Sequence, residues 1–266
     1  MLVNPISETL SVIWPLLQTN FITALAGAGA GALGAQFITE KIKNKESLLK
    51  EIRNVNSAIS IANHMCLLFL GTKHGNSKPI YEEFFRERNI LIQILESGQA
   101  IEIFDYQRDC TFIPVPQVHF KSLRKILFNQ LSLDEKAVTA YVYLEQSFKS
   151  FSLALNKRNK ITDDYLLRFK KLSLDGKNEE TMNYFGLEHN GSQNKLHLDF
   201  VKRIMLRNND CIFLVLFLIG ELIKHGKYLN KKYGEDAPEI FEPNFSDAIR
   251  MNLIPFEKRY ENWEFN

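Results

Sequence analysis

Six histidines (His64, His74, His119, His189, His197, His225) and three cysteines (Cys66, Cys110, Cys211) are the side chains best able to hold a metal or act as nucleophiles, and their spacing suits neither task. A helical zinc site needs histidines four apart, or a C-x-x-C pair, so that ligands converge on one ion; neither occurs. His64 and Cys66 are two apart and leave a helix on different faces. The cysteines are odd in number and far apart, which argues against a disulfide framework and for small buried hydrophobes in a reducing compartment.

Phosphate chemistry fares no better. Gly220 with Gly226-Lys227 has five residues between the glycines rather than four, and no Ser or Thr follows the lysine. Gly71 to Gly75 fails in the same way. Gly29, Gly31 and Gly34 match the dinucleotide string but sit in apolar helical sequence with no strand before them. No serine lies in a G-x-S-x-G context. Asp163-Asp164 and Glu179-Glu180 are adjacent acids, a pattern of solvated helix starts and loops. No catalytic, cofactor-binding or metal-ligating residue is assigned, and a non-enzymatic role is expected. An enzyme with a helical site assembled from distant positions is one alternative.

The spacing that does carry meaning is in the small residues near the amino terminus. Thr23, Gly27, Gly31 and Ala35 recur every four residues, as do Ala24, Ala28 and Ala32, and Ala26, Ala30 and Gly34. Each set lies on one helical face. Small side chains there allow a second backbone to approach closely, which drives helix association in lipid. Gly27, Gly31, Gly34, Ala24 and Ala28 are therefore the candidate association residues.

The element that must carry them is unusual. Thr9 to Thr39 contains no Asp, Glu, Lys or Arg over 31 residues. Roughly 20 helical residues cross a bilayer core, so one membrane-spanning helix is expected. Met1 to Glu8 holds no basic residue, unlike a secretory signal. Lys41, Lys43 and Lys45 follow the run and are assigned to lipid headgroups. The excess of positive charge after the run predicts an inner (cytoplasmic) membrane protein with its amino terminus outside and its main domain in the cytoplasm. Gly and Ala add little to partitioning, and Pro15, Gln18 and Asn20 detract, so a single copy inserts marginally and self-association or a partner helix is expected to stabilise it.

The rest reads as all-α, an irregular bundle of about six helices. Leu48, Ile52, Val55, Ile59, Ala62, Cys66 and Phe69 recur at steps of four and three, a seam for the chain's own domain or a sister chain, with the former favoured. A loop is expected over Gly71–Pro79, a helix over Ile80–Ile103, an extended Phe112–Val118 around Pro114 and Pro116, and a helix over Gln117–Gln130. Asp134 is a candidate cap. Its helix is expected to end in Lys157, Arg158 and Lys160, another possible lipid contact, with a new helix from Thr162. Asp175–Asn194 reads as a loop or hinge. Cys211 to Ile219 is entirely apolar and too short to span, so it predicts the central core helix. The organisation expected is an anchor over 1–39, a helical domain over 40–234, and an acidic, aromatic strap over 235–266 whose three bases against eight acids give a net charge of −5.

With 33 Lys+Arg against 31 Asp+Glu, the net charge is +2. A dedicated nucleic-acid binder is usually strongly basic, so no nucleic acid is expected; Lys121, Arg124 and Lys125 read as a wet helix face. The function expected is an oligomerising sensing or docking module on a bilayer, open to a protein partner. The alternative is a membrane-disrupting effector whose Gly/Ala helix assembles on a cytoplasmic signal.

Overall fold

The computed structural model describes residues 5–98, 111–169, 174–255 and 260, with side chains from residue 31 onward except at 166, 168, 169 and 174–176. The fold is all-α. Helix α1 runs from Pro5 to Thr72, α2 from Lys78 to Glu96, α3 from Phe120 to Asn129, α4 from Glu135 to Phe169, α5 from Leu174 to Phe185, α6 from Leu196 to Tyr233 and α7 from Ser246 to Arg250. A two-residue hairpin, β1 (Glu188–His189) against β2 (Ser192–Gln193), precedes α6. Its turn, Asn190-Gly191, has positive φ at both residues, the conformation an Asn-Gly pair supplies most readily.

The heptad seam packs into the chain's own domain. Ile52, Val55, Ile59, Ala62, Cys66 and Phe69 are all fully buried. They meet α6, whose Cys211, Ile212, Leu214, Val215, Leu218, Ile219 and Leu222 are buried in the same core. The apolar run is thus the central helix, flanked by α1 and α4. Helix α6 runs antiparallel to α1: Gly226 lies beside Val55, and Tyr233 beside Lys45. A Cβ on Gly226 would stand 2.8 Å from Ile240 Cδ1, so glycine lets the strap close down on this crossing.

A smaller core joins Phe84 and Leu91 of α2, Tyr165 of α4, Met182, Tyr184 and Phe185 of α5, and Leu198 and Val201 of α6. His197 stacks on Tyr184 there at 4.1 Å between centroids. Asp134 caps α4 as expected, its Oδ1 accepting from the Ala137 N–H at 3.1 Å.

Three expectations need correction. Gly71–Pro79 is not a loop. The helical path continues through a π-helical turn, Lys73–Ser77, in which the Lys78 N–H bonds to the Lys73 carbonyl five residues back. Pro79 has no N–H to offer the regular ladder, and the wider turn upstream brings Lys73 and Ser77 into buried positions. Tertiary burial outweighs the local preference of two glycines to break the helix. Second, α4 does not stop at Lys157–Lys160. Arg158 is completely buried and donates to the Thr111 carbonyl, and Thr162 bonds back to the Arg158 carbonyl at 3.0 Å inside the helix. Arg158 is therefore no lipid contact. Third, Asp175–Asn194 is mostly α5 and the hairpin rather than a loop. The described part of the strap packs through Ile240, Leu253 and Tyr260, which are buried, while Phe241 is 41% exposed. Of the strap aromatics, Phe245 packs partly and Tyr260 is buried on Phe213, 4.1 Å away and nearly parallel; Phe256, Trp263 and Phe265 lie outside the described residues, as does the end of the helix expected to reach Ile103.

Two asparagines hold extended segments by mimicking strand pairing. Asn159 Oδ1 accepts from the Ile113 N–H at 3.1 Å while its Nδ2 donates to the Ile113 carbonyl at 2.8 Å. Asn56 does the same for the strap, donating to the Glu239 carbonyl at 2.8 Å and accepting from the Phe241 N–H at 3.0 Å. The Asn56 bonds are solvent-exposed, so water replaces them. Asn56→Ala is expected to lower unfolding free energy by only about 1 kcal/mol, read by urea titration.

Burial pushes the Cys66 thiol up to about 12 and moves Cys211 upward too, where the neighbouring Asp210 carboxylate adds to burial. Unfolded thiols ionise near 8.5. The unfolded state therefore loses these protons first, and stability present below that pH declines as pH rises through roughly 8.5 and beyond. Cys66 and Cys211 are expected to stay unmodified by a thiol reagent at neutral pH until the chain unfolds, as mass spectrometry of the labelled protein would read.

Candidate functional site

The site with a chemistry of its own is the free-standing part of α1. From Gly31 through Ser47 every residue is exposed, and apolar packing on the domain begins at Leu48. Leu33 is 70% exposed, Phe37 69%, Ile38 60% and Ile42 54%. Phe37 and Ile38 are adjacent, so their side chains leave the helix about 100° apart; the apolar surface wraps the helix rather than forming one stripe. So broad an apolar surface belongs in a core or in hydrocarbon, and among the described residues nothing covers it. By length and composition α1 is a membrane-span candidate, although its most apolar described stretch is half buried in the domain and so lies C-terminal to these exposed turns.

Of the association residues, Gly31 and Gly34 have nothing within 4 Å of where a Cβ would stand, so their face is open to close approach. Ala24, Gly27 and Ala28 lie on the same helix, but their side chains lie outside the described residues. Lys41 and Lys43 are exposed. Lys45 is turned back to the domain, 3.9 Å from Asp236 and 4.8 Å above the Tyr233 ring.

At the base of this helix, Glu51 joins three elements. Its Oε1 accepts from the Ser132 N–H at 2.8 Å and lies 3.2 Å from His225 Nε2. Nearby, an open groove of about 790 Å³ runs along the strap between Lys227, Asn230, Glu239 and Glu242, spanned by the Lys227–Glu242 pair at 2.7 Å.

Elsewhere the polar groups are structural. Asn208, fully buried on α6, faces the Ser77 hydroxyl at 2.9 Å, and turning its amide adds bonds to the Phe69 carbonyl and the Lys73 N–H. Asp210 accepts from Tyr260 at 2.8 Å and from Arg207 at 2.9 Å. These bonds lock the π-turn and the end of the strap to the core helix. His64 stacks on His119 at 5.9 Å. Among the described residues no three His, Cys, Asp or Glu side chains are grouped to hold a metal ion.

Sequence reasoning missed Asn56, Asn159 and Asn208. The available signal was a polar residue beside apolar helix, clearest in Asn208-Asn209-Asp210 before the apolar run; Asn159, within Lys157-Arg158-Asn159-Lys160, carried no such signal. No family model, no curated protein and no solved structure matches this chain.

Proposed function

We propose that this chain is a single-pass membrane protein in which α1 anchors a helical cytoplasmic domain, the Gly/Ala face of α1 joins copies to one another, and the domain serves as a non-enzymatic sensing or docking module. The observation that carries the reading is the bare apolar surface of α1 between Gly31 and Ile42. Exposed hydrocarbon on that scale is costly in water and favourable in lipid. The uncharged sequence before it extends the same helix far enough to cross, and Lys41 and Lys43 mark its cytoplasmic end. The continuous helix from anchor to core gives a direct mechanical link: a rotation or approach of two anchors is transmitted to the seam on α6.

Alkaline carbonate extraction of membranes tests the anchor; release of the whole chain into the supernatant refutes it. Replacing Gly27 and Gly31 together by Ile separates anchoring from association. Ile favours insertion but blocks backbone approach, so membrane retention is expected to hold or rise. Crosslinked dimer is expected to fall about tenfold in apparent affinity, on the order of 1.4 kcal/mol. Undiminished crosslinking sinks the role of the small-residue face.

A further inference from the structure

We propose that the last turns of α6 form a platform that binds the phosphates of anionic phospholipid, with Lys231 and Lys232 as the contacts and Tyr228 at their side; this rests on the membrane reading of α1. The antiparallel packing of α6 on α1 places Tyr233 beside Lys45. Lys45 is six residues past Thr39, where the uncharged run ends, or about 9 Å along the helix. A headgroup layer is roughly 5–7 Å deep on each side of the hydrocarbon, and a lysine side chain covers the remainder by snorkelling. The end of α6 therefore stands at headgroup depth once α1 spans.

The chemistry of that end suits the location. Lys231 and Lys232 are exposed, and Tyr228 is 53% exposed with the Lys232 ammonium 4.4 Å above its ring. Tyrosine and lysine are the side chains that combine an apolar body with a polar tip at a membrane surface. Lys41, Lys43 and Lys231 have no acid partner among the described residues. The acids at this end are Glu40, Glu46, Glu235, Asp236, Glu239 and Glu242; Asp236 lies 3.9 Å from Lys45, Glu242 pairs with Lys227 at 2.7 Å, and Glu40 accepts from Gln36 at 3.3 Å. Lys41, Lys43, Lys231 and Lys232 are thus exposed, while Asp236 and Glu242 are each engaged by a lysine of the chain.

The test uses the full chain reconstituted in vesicles of phosphatidylcholine, with or without phosphatidylglycerol, and an amine-reactive footprint read by mass spectrometry. Lys149 is the internal reference: its neighbour Phe148 packs on Phe69, about 36 Å along α1 from Lys45. Modification of Lys231 and Lys232 relative to Lys149 is expected to slow several-fold when phosphatidylglycerol is present and to recover in high salt. In a K231Q/K232Q chain, the residual slowing at Lys41 and Lys43 is expected to weaken. Equal rates at Lys231 and Lys232 in both vesicles, with the chain still resistant to carbonate, overturn the platform and leave the anchor standing. A chain that carbonate strips from the vesicles overturns both.

Discussion

Ala28→Arg is expected to move the chain from the carbonate-resistant membrane fraction to the supernatant. Ala28 lies next to the midpoint of Asn20–Thr39 and four residues past the midpoint of Thr9–Thr39, so on either count the arginine starts deep in the span. A charge at the centre of a spanning helix costs about 2.5–3.5 kcal/mol on insertion scales. That is on the order of a hundredfold in the inserted fraction. A Leu-rich helix absorbs such a loss. This one does not, because its central positions are Gly and Ala, and its stronger apolar side chains are concentrated before Leu25 and at Leu33, Phe37 and Ile38. Ala28→Leu is the control and should increase retention. If the arginine chain proved as resistant to carbonate as the parent, hydrocarbon would not be the medium around this segment.

Asn159→Ala is expected to destabilise the domain by about 3 kcal/mol, because it orphans both backbone groups of Ile113. Ile113 is fully buried and Asn159 nearly so, so water cannot take over the lost bonds. Each stranded group costs about 1–3 kcal/mol. For a domain of this size the melting temperature should drop by about 6–12 °C, measured by circular dichroism of the full chain in detergent. The contrast with Asn56→Ala is instructive: the same two-bond geometry, placed at the surface, should matter about a third as much. Asn159→Asp keeps the acceptor for the Ile113 N–H but loses the donor and buries a charge, so it should be no milder. A loss below about 1 kcal/mol for Asn159→Ala would mean the Phe112–Val118 segment is held by something else. The neighbouring Arg158, which reaches the Thr111 carbonyl, is the residue to examine next.

The helices were legible where their signal is local. Ile52 to Phe69 repeats at a helical period, and burial follows that period residue by residue. Cys211 to Ile219 is apolar on every side, and such a helix has no stable place except the centre. Asp134 caps because its carboxylate meets an amide three residues on. The exposed surface of α1 belongs to the same class: a run without charge is visible in any reading of the chain, and nothing among the described residues covers its end.

What stayed hidden depends on partners far away in the chain. Gly71–Pro79 looks like a break until Asn208, 131 residues beyond Ser77, supplies the bond that holds the π-turn in place. Lys157–Lys160 looks like a helix end until Arg158 and Asn159 meet Thr111 and Ile113, 47 and 46 residues earlier. The strap looks aromatic until Asn56, 183 residues before Glu239, sets its register and lets Ile240 enter beside Gly226. Periodicity and charge thus determined that this chain is helical, where its core helix lies, and that one end is built without charge. The tertiary structure alone decided the path between helices and the burial of Arg158, Asn159 and Asn208, because a buried polar group is tolerated only where a distant backbone completes its hydrogen bonds.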